Sequence, residues 1–397
     1  MEFGQFILAH EGDNLGALAL AREKYVGEPF DFDLALTTLE VRRKLRDKVP
    51  EWYAVPALCY PLRLSGEQCS SSATARYKAW VALSASGTAG YLADLTGGLG
   101  VDSWAFAQVF GQVLYNEMRP ELASAASANF RKLGADNISV RNRELRPDQV
   151  ADVLAGFNPD IIFLDPARRS EDGRKVFRLE DCQPAVLQLL PELLSACPLL
   201  LMKLSPMADI SLVCRQLSCV REVHVVAAEG ECKELLLLLE RGYVGPWTTF
   251  VVEDDAVMAL NPVDQVQGLI GPGIYTGKIL FEPGKALLKA GAFELPCHYG
   301  LEKLGRHTHL YVGESVPEEL KPFGKVFRIL EMLPLNKASF KEIGKRYPQA
   351  EVTARNIPLT SEALKAKLKV RSGGSVHIFG LHIDALDGND LLVCQNS

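Results

Sequence analysis

Apolar residues recur at two spacings along the middle of the chain, from about residue 76 to residue 243. Stretches with helical spacing alternate there with short apolar runs that are typical of buried strands. The predicted strands are GYLADL, QVLYNE, ISVRN, DIIFLD, PLLLMKLS, REVHVVAAE and KELLLLLE, and the predicted helices include ATARYKAWVALSA, VDSWAFAQVF, ELASAASANFRKLG and AVLQLLPELLSA. Alternating strands and helices favour a parallel sheet wound on both faces. The last two strands are joined only by a short GEC turn, so they must run antiparallel.

The flanking segments have different patterns. Residues 1–75 carry apolar positions at helical spacing, which predicts a helical region. Glycine and proline become frequent from Gly242 to Gly284, and this marks a change of domain. Short strand and helix patterns follow. We therefore predict four domains: a helical domain at 1–75, an α/β domain at 76–243, and two small α+β domains at 244–322 and 323–397.

The composition fits this organisation. A chain of 397 residues exceeds what one hydrophobic core usually holds. No apolar run approaches the roughly 20 residues that span a membrane, and the first residues lack the basic lead and small-residue cleavage pattern of a signal peptide. We therefore expect a cytoplasmic protein. The nine cysteines form no Cys-x-x-Cys pair, and the closest two, Cys214 and Cys219, lack histidine partners at metal-ligand spacing, which favours free thiols and no metal site.

Charge is distributed unevenly. The net charge of the chain is −6, which taken alone argues weakly against a nucleic-acid partner. The segment from Lys325 to Arg371, however, holds 11 lysines and arginines against 4 glutamates, a local charge of +7. The C-terminal domain is therefore predicted to be a basic module.

A glycine-rich turn, DLTGGLG, follows the first predicted strand of the α/β domain and precedes a helix. Glycines in this setting let the backbone approach a ligand at a helix N-terminus, and tight strand-to-helix packing is the alternative. Asp94 ends the strand before the glycines, where a carboxylate could bind the amine of a bound amino acid. Glu117 ends the next strand, where an acid can accept hydrogen bonds from both hydroxyls of a ribose.

Two further polar groups follow predicted strands. Glu144 comes after the third strand and could contact an adenine edge, or it could be an ordinary surface acid. The stretch FLDPARR, which contains Asp165, comes after the fourth strand. Open sheets of this class bind ligands at the carboxyl ends of their strands, so both groups are candidates for the same site.

Together these motifs resemble class I S-adenosylmethionine-dependent methyltransferases over about residues 65–243. The resemblance implies a doubly wound, seven-stranded Rossmann-like sheet with an antiparallel last strand, and S-adenosyl-L-methionine as cofactor. The stretch GEQCSSSATARYKA resembles the helix that lies over the cofactor in RNA-modifying members, although an N-cap role for its serines is an alternative. The implied cofactor-binding residues are Gln68, Asp94, Thr96, Gly97, Gly98, Gly100, Glu117, Glu144 and Asp165.

The chain departs from this family at two places. Thr96 stands where the family has its first glycine. Base-methylating members often end the fourth motif with an aromatic residue after two prolines, to stack the target base, whereas this chain has Ala167 and Arg168.

The implied reaction is a direct displacement of a methyl group from a sulfonium. Asp165 is the expected group that orients or deprotonates the acceptor, with the backbone carbonyl of Pro166 as a helper. Arg168 is expected to contact substrate phosphate, and Lys203, at the end of the fifth strand, is expected to meet the substrate. A structural strand-end aspartate is an alternative for Asp165. Pairing with nearby acids is an alternative for the neighbouring cations, Arg168, Arg169, Arg174, Lys175 and Arg178.

The stretches EPGKALLKAGAF and RNIPLTSEALKAKLKVRSGG extend the resemblance to methyltransferases with a small ferredoxin-like unit and a C-terminal THUMP-like domain. THUMP domains bind RNA in tRNA- and rRNA-modifying enzymes, so the resemblance implies methylation of RNA at a base nitrogen or a similar nucleophile. Two alternatives stay open: a methyltransferase acting on a protein or small molecule, and an RNA-binding protein on a methyltransferase fold that is no longer catalytic.

Overall fold

The computed structural model describes residues 2–168, 178–260 and 275–396. The chain forms two compact units, of which unit 1 comprises residues 1–223 and 235–247, and unit 2 comprises residues 224–234 and 248–397. Among the described residues, every helix is too short or too polar to reach across a lipid bilayer. The predicted division into four domains stays a prediction.

The N-terminal part of unit 1 is helical, as the spacing of its apolar residues predicts. Its α-helices are α1 (Phe3–Ala9), α2 (Leu15–Leu20), α3 (Phe32–Lys48), α4 (Pro50–Tyr53) and α5 (Arg63–Gln68). Asn14 and Asp31 begin α2 and α3 by accepting hydrogen bonds from backbone N–H groups of the first turn. The apolar faces of α1, α2 and α3 meet in one core cluster, which contains Phe6, Ile7, Leu18, Phe32, Ala35 and Leu39.

Strands and helices then alternate through the rest of unit 1. In chain order they are α6 (Ser72–Ser86), β1 (Tyr91–Asp94), α7 (Val101–Ala107), β2 (Gln112–Asn116), α8 (Pro120–Lys132), β3 (Ile138–Arg141), α9 (Val150–Leu154), β4 (Ile161–Leu164), β5 (Ala167–Arg168), β6 (Cys182–Gln183), α10 (Val186–Ala196), β7 (Leu199–Leu204) and α11 (Ile210–Gln216). Helix α11 is absent from the sequence-based prediction. Its local signal is Asp209, whose carboxylate caps the backbone N–H of Leu212.

The remaining strands and helices lie mostly in unit 2. They are β8 (Val220–Ala228), β9 (Glu231–Glu240), β10 (Thr248–Glu253), β11 (Ala256–Leu260), β12 (Ile279–Pro283), α12 (Lys285–Ala290), α13 (Leu295–His298), β13 (Glu302–Lys303), β14 (Tyr311–Gly313), β15 (Gly324–Pro334), α14 (Lys337–Arg346), β16 (Glu351–Arg355), α15 (Ser361–Leu368), β17 (Val376–Ile383) and β18 (Gly388–Asn396). Short 3-10 turns in the two units span Arg22–Tyr25, Pro147–Gln149, Leu179–Asp181, Lys321–Phe323 and Asp384–Leu386.

The large sheet has the strand order β11-β10-β8-β9-β7-β4-β1-β2-β3 within the described residues. Strands β3, β2, β1, β4 and β7 pair in parallel, and β9 pairs antiparallel with β7. The doubly wound α/β class and the antiparallel last strand are therefore confirmed. All seven predicted strands are present in this sheet, and the β10–β11 hairpin, which follows the predicted α/β domain in the chain, adds two further strands at its edge.

A second sheet organises unit 2, with the order β13-β14-β12-β15-β18-β17-β16 in the described chain. Strand β12 belongs to the third predicted domain and pairs antiparallel with β15 of the fourth, from Ile279 opposite Arg328 to Pro283 opposite Gly324. The two small α+β segments thus share one sheet. They also share one core cluster, which includes Leu280, Val312, Phe327, Phe379 and Leu392.

A buried amide ties the helical N-terminal region to the α/β part of unit 1. Asn129 on α8 is 1% exposed; its Oδ1 accepts a hydrogen bond from the backbone N–H of Cys59 (3.0 Å), and its Nδ2 donates to the Cys59 carbonyl oxygen (2.9 Å). Lys132, one turn later, donates to the carbonyl of Ala57 (2.5 Å). One side chain therefore satisfies both backbone groups of a residue about seventy positions earlier in the chain.

We predict that Asn129→Ala destabilises unit 1 by about 1–3 kcal/mol, because two partly buried backbone groups lose their partners. Chemical denaturation followed by circular dichroism measures this change. Gln108→Ala is the matched control, since the exposed Gln108 side chain bonds only to a carbonyl of its own helix, and it should change stability by less than about 0.5 kcal/mol. Equal losses of stability for the two variants would show that the Asn129 hydrogen bonds to Cys59 do not stabilise unit 1.

Candidate cofactor and active site

The candidate site residues meet at one edge of the large sheet because their strands are parallel. Asp94, the last residue of β1, lies opposite Tyr115 of β2 and opposite Phe163 of β4. Glu117 comes two residues after Tyr115, and Asp165 comes two residues after Phe163. Both therefore follow the ends of their strands at the same edge of the sheet. Strand β7, which carries Lys203, is the parallel neighbour of β4. The carboxyl ends of parallel strands are where open α/β sheets bind their ligands.

Asp94 is a buried carboxylic acid at the start of the glycine turn. It is 1% exposed; its Oδ2 accepts from the Ser103 hydroxyl (2.5 Å) and its Oδ1 from the backbone N–H of Thr96 (3.1 Å). The pKa of Asp94 is raised to about 8, chiefly by burial and with a smaller contribution from the nearby carboxylates of Asp102 and Asp165, against the lowering effect of the Ser103 and Thr96 hydrogen bonds. A cation placed beside this group would favour its ionised form.

The glycines of the turn have two different roles. Added side-chain carbon atoms at Gly97 and Gly100 would overlap the rings of Tyr115 and Phe130, so these two positions serve close packing. Gly98, which like Gly100 has a positive φ (+54°), differs because an added Cβ would meet nothing nearer than the Thr96 carbonyl at 3.8 Å. The backbone at Gly98 is thus open to an incoming ligand, and it is the place where the turn can form a cradle.

Glu117 holds the glycine turn in place from the next strand. It is 8% exposed, and its two carboxylate oxygens accept from the backbone N–H groups of Gly98 (2.9 Å) and Arg119 (2.9 Å). Asn142 donates to the Glu117 carbonyl (2.7 Å) and fixes the backbone. The acid is therefore preorganised beside Gly98, and each of its oxygens keeps a further lone pair for a ligand hydroxyl.

Thr96 joins the glycine turn to the end of β4. Its hydroxyl oxygen accepts a hydrogen bond from the backbone N–H of Asp165 (2.6 Å). A glycine at this position, as in the family that the motif resembles, would leave that N–H without this partner. The departure from the family's pattern therefore has a structural role here.

Asp165 and Lys203 form an ion pair. Lys203 Nζ lies 2.7 Å from Asp165 Oδ2, and the two side chains are 18% and 30% exposed respectively. Pro166, next to Asp165, is buried. The ammonium group fixes one carboxylate oxygen at a partly exposed position, which orients the carboxylate toward the sheet edge.

The cations after Asp165 are only partly described. The side chain of Arg168, together with Arg169, Arg174 and Lys175, lies outside the described residues. Arg178 is exposed. Glu180, an acid close to these cations in sequence, accepts a hydrogen bond from Gln216 (2.7 Å).

Glu144 lies three residues beyond the end of β3, on an exposed loop. Its side chain is 50% exposed, and Arg146 Nε approaches its Oε2 to 3.6 Å. The structure thus places Glu144 at the surface, in a setting that differs from the buried surroundings of Asp94 and Glu117. Its predicted contact with an adenine stays a prediction.

A buried ionic cluster that the sequence analysis did not find joins α6, α7 and the segment between α5 and α6. Lys78 on α6 is 0% exposed; its Nζ donates to the Ser70 hydroxyl (2.9 Å) and lies 3.2 Å from Asp102 Oδ1. The Ser70 hydroxyl in turn donates to Asp102 Oδ2 (2.8 Å). Ser71, and not Ser70, caps α6 by accepting from the N–H of Thr74. Gln68 is exposed at the end of α5.

This cluster lies beside the candidate site. Asp102 is in the first turn of α7, directly after the glycine turn, and its neighbour Ser103 bonds to Asp94. Burial raises the pKa of the Cys69 thiol, and the charges of Asp102 and Lys203 both act on it, so Cys69 lies within electrostatic range of the site. No signal in the sequence indicates that Lys78 is buried, because a lysine in a helix is usually solvated.

The described residues fit the methionine and ribose parts of S-adenosylmethionine. Gly98 offers an open backbone, Asp94 an acid for an amine, and Glu117 two acceptors for ribose hydroxyls. No group of three or more histidine, cysteine, aspartate or glutamate side chains in the described ranges could hold a metal ion.

Two segments of unit 2 match known domain families. Residues 280–320 match the profile of a ferredoxin-like domain, and residues 324–396 match that of a THUMP domain-like family.

Similar whole proteins have also been named. Uncharacterised S-adenosylmethionine-dependent methyltransferases from two strains of Mycobacterium tuberculosis, CDC 1551 and H37Rv, are 23% identical over 327 residues, which is 71% of this chain and 86% of theirs. A crystal structure of a candidate methyltransferase from Porphyromonas gingivalis W83 superposes with a TM-score of 0.84 and 29% identity, over 100% of this chain and 97% of that one.

We predict that Asp94 makes folding stability depend on pH. A carboxyl whose pKa is raised in the folded state stabilises the protein fully at low pH, and this contribution is lost as pH rises toward about 8. From about pH 5 to pH 8, the free energy of unfolding of wild type should therefore fall relative to that of Asp94→Asn, by up to about 1.4 kcal/mol per pH unit. Thermal and urea unfolding of both proteins measure this difference. Asp136→Asn, an exposed control, should show no such trend, and a constant difference for Asp94→Asn would contradict the prediction.

We also predict that Lys78→Met destabilises unit 1 by about 3–5 kcal/mol, because it leaves the Asp102 carboxylate without its buried counter-ion. The double variant Lys78→Met/Asp102→Asn should recover part of this loss. Lys44→Met removes an exposed pair with Glu67 and should cost less than about 1 kcal/mol. Urea unfolding measures all three, and a Lys78 effect no larger than that of Lys44 would show that the buried cluster adds no stability.

Proposed function

We propose that this chain, an S-adenosylmethionine-dependent methyltransferase with a THUMP-like domain, methylates RNA at a base nitrogen or a similar nucleophile of tRNA or rRNA. The observation that carries the chemical part of this proposal is the Asp165–Lys203 pair, which lies at the same sheet edge as Asp94, Gly98 and Glu117. The THUMP-like segment supports RNA as the substrate class.

The cofactor would be held by groups that are already in place. Glu117 would accept hydrogen bonds from the ribose hydroxyls, Gly98 would let the backbone approach the methionine half, and Asp94 would face the amine. S-adenosylmethionine supplies, when bound, a methyl group on a positively charged sulfur. Binding a cation beside Asp94 favours the ionised acid, so the buried carboxyl would release a proton as the site fills.

Asp165 would act on the acceptor. Its carboxylate would accept the proton that the acceptor nitrogen loses when that nitrogen takes the methyl group. Lys203 keeps that carboxylate in one orientation through its bond to Oδ2. Positioning of this kind lowers barriers by about 7 to 11 kcal/mol in favourable cases, so few further catalytic groups are needed.

The substrate can be identified with labelled cofactor. Protein is incubated with radiolabelled S-adenosylmethionine and total RNA from a strain of the source organism that lacks the gene, and mass spectrometry then locates the modified nucleoside. Label in RNA is the expected result. Label that enters protein or a small molecule, with none in RNA, would overturn the RNA proposal in favour of another methyltransferase substrate.

Asp165→Asn is predicted to lower the rate of methyl transfer by about 10²- to 10⁴-fold, the usual contribution of a general base. Calorimetry tests the other role implied for Asp165, contact with the cofactor: because its carboxylate acts on the acceptor in this proposal, cofactor affinity should stay close to that of wild type. Asp136→Asn is the matched control: this exposed carboxylate lies in the loop that leads into the amino end of β3 and should leave the rate unchanged. Unchanged transfer by Asp165→Asn would remove Asp165 from the reaction.

A further inference from the structure

The helices α14 and α15 of unit 2 border a cleft of about 550 Å³ that is surrounded by lysines. Lys337, Lys341 and Lys345 recur every four residues and therefore project from one face of α14. Lys367 and Lys369 come from the end of α15. Phe340, Gly344 and Leu368 complete the lining.

These lysines are exposed and, in the described part of the chain, have no anionic partner. Two acids near α14 are already engaged, because Glu342 and Glu331 both bind Arg346, at 2.6 and 2.8 Å. Lys365, by contrast, lies on the same helix as Lys367 and donates to the Ser372 hydroxyl. Five positive charges thus converge on one concavity without neutralisation, which is unfavourable for the free protein and favourable for a polyanion.

Close helix packing holds the walls of the cleft together. An added Cβ at Gly344 would overlap the Leu368 carbonyl oxygen, so α14 touches the end of α15 at this glycine. Ile343, Leu364 and Leu368 are buried in the core cluster beneath it. The lysines are therefore presented by a rigid scaffold, and their spacing is set before any ligand arrives.

We propose that this lysine cleft binds the phosphate backbone of RNA. The assignment rests on the proposed function, because it takes RNA as the substrate class of the same protein. A membrane surface fits less well, because surface-bound helices insert large apolar side chains, whereas the apolar residues of α14 and α15 face the core and the cleft between the charges is concave. A chain of phosphates can enter such a concavity, and lysine contacts with phosphate carry no sequence preference.

The test compares two variants with equal loss of charge. Lys341→Gln/Lys345→Gln/Lys369→Gln removes cleft lysines, and Lys278→Gln/Lys321→Gln/Lys325→Gln removes lysines of unit 2 that do not line the cleft. Binding of a fluorescein-labelled RNA hairpin is followed by anisotropy over a series of potassium chloride concentrations. The slope of log affinity against log salt should fall by about 2 to 3 for the cleft variant, since each lost phosphate contact lowers it by about 0.7 to 0.9.

The control variant should bind RNA with a slope close to that of wild type. In the methylation assay, the cleft variant should show a raised KM for RNA and a kcat near that of wild type, because Asp165 and Lys203 are intact. A merely structural role of the lysines would instead lower the melting temperature and the apparent kcat and leave the KM for RNA unchanged.

The outcomes separate this inference from the proposed function. A cleft variant that matches the control in slope overturns the inference, even if wild type methylates RNA. A cleft-dependent slope, with no methyl transfer to RNA by wild type, upholds the inference and overturns the proposed function. Cleft-dependent binding to vesicles of phosphatidylcholine and phosphatidylserine, without binding to RNA, would replace RNA by an anionic membrane.

Discussion

Parallel pairing of neighbouring strands is the constraint on which the site depends. Strands β2 and β4 flank β1 in register, so the residues that follow each strand leave the sheet at one edge. This pairing alone brings Asp94, Glu117 and Asp165 close together. Hydrogen bonds then lock the separate loops to one another. Glu117 holds Gly98, and Thr96 holds the backbone of Asp165, so the part that would grip the cofactor and the part that would act on the acceptor are a single bonded assembly.

Charges are arranged differently around the candidate site and in the lysine cleft. Near the site, Lys78 lies between Ser70 and Asp102, and Lys203 pairs with Asp165. Asp94 is an acid buried deeply enough that its pKa rises to about 8. In unit 2 the cations of the lysine cleft are exposed and unneutralised among the described residues. Catalysis needs fixed charges at defined distances, whereas binding a flexible polyanion needs many charges that remain free to adjust.

Much of the α/β fold and the location of the candidate site could be predicted from the sequence, because apolar runs that stop at polar residues mark the ends of strands. The runs before Asp94, Asp165 and Glu117 predicted both the α/β class and the shared edge. Three kinds of feature had no such signal. Helix α11 is short and lies between strong strand patterns, the two small C-terminal segments gave no sign of sharing a sheet, and the burial of Lys78 depends on packing against Ser70 and Asp102 from distant positions.

The place of β18 within unit 2 has a consequence for biogenesis. This strand, Gly388–Asn396, pairs with β15 on one side and β17 on the other, so it lies inside the sheet although the ribosome makes it after its neighbours. A nascent chain that has exposed β15 and β17 holds two hydrogen-bonding edges with their shared partner still untranslated. The sheet of unit 2 can therefore be completed only after translation of β18. Until then, the unpaired edges of β15 and β17 are the surfaces that a chaperone at the tunnel exit would have to shield.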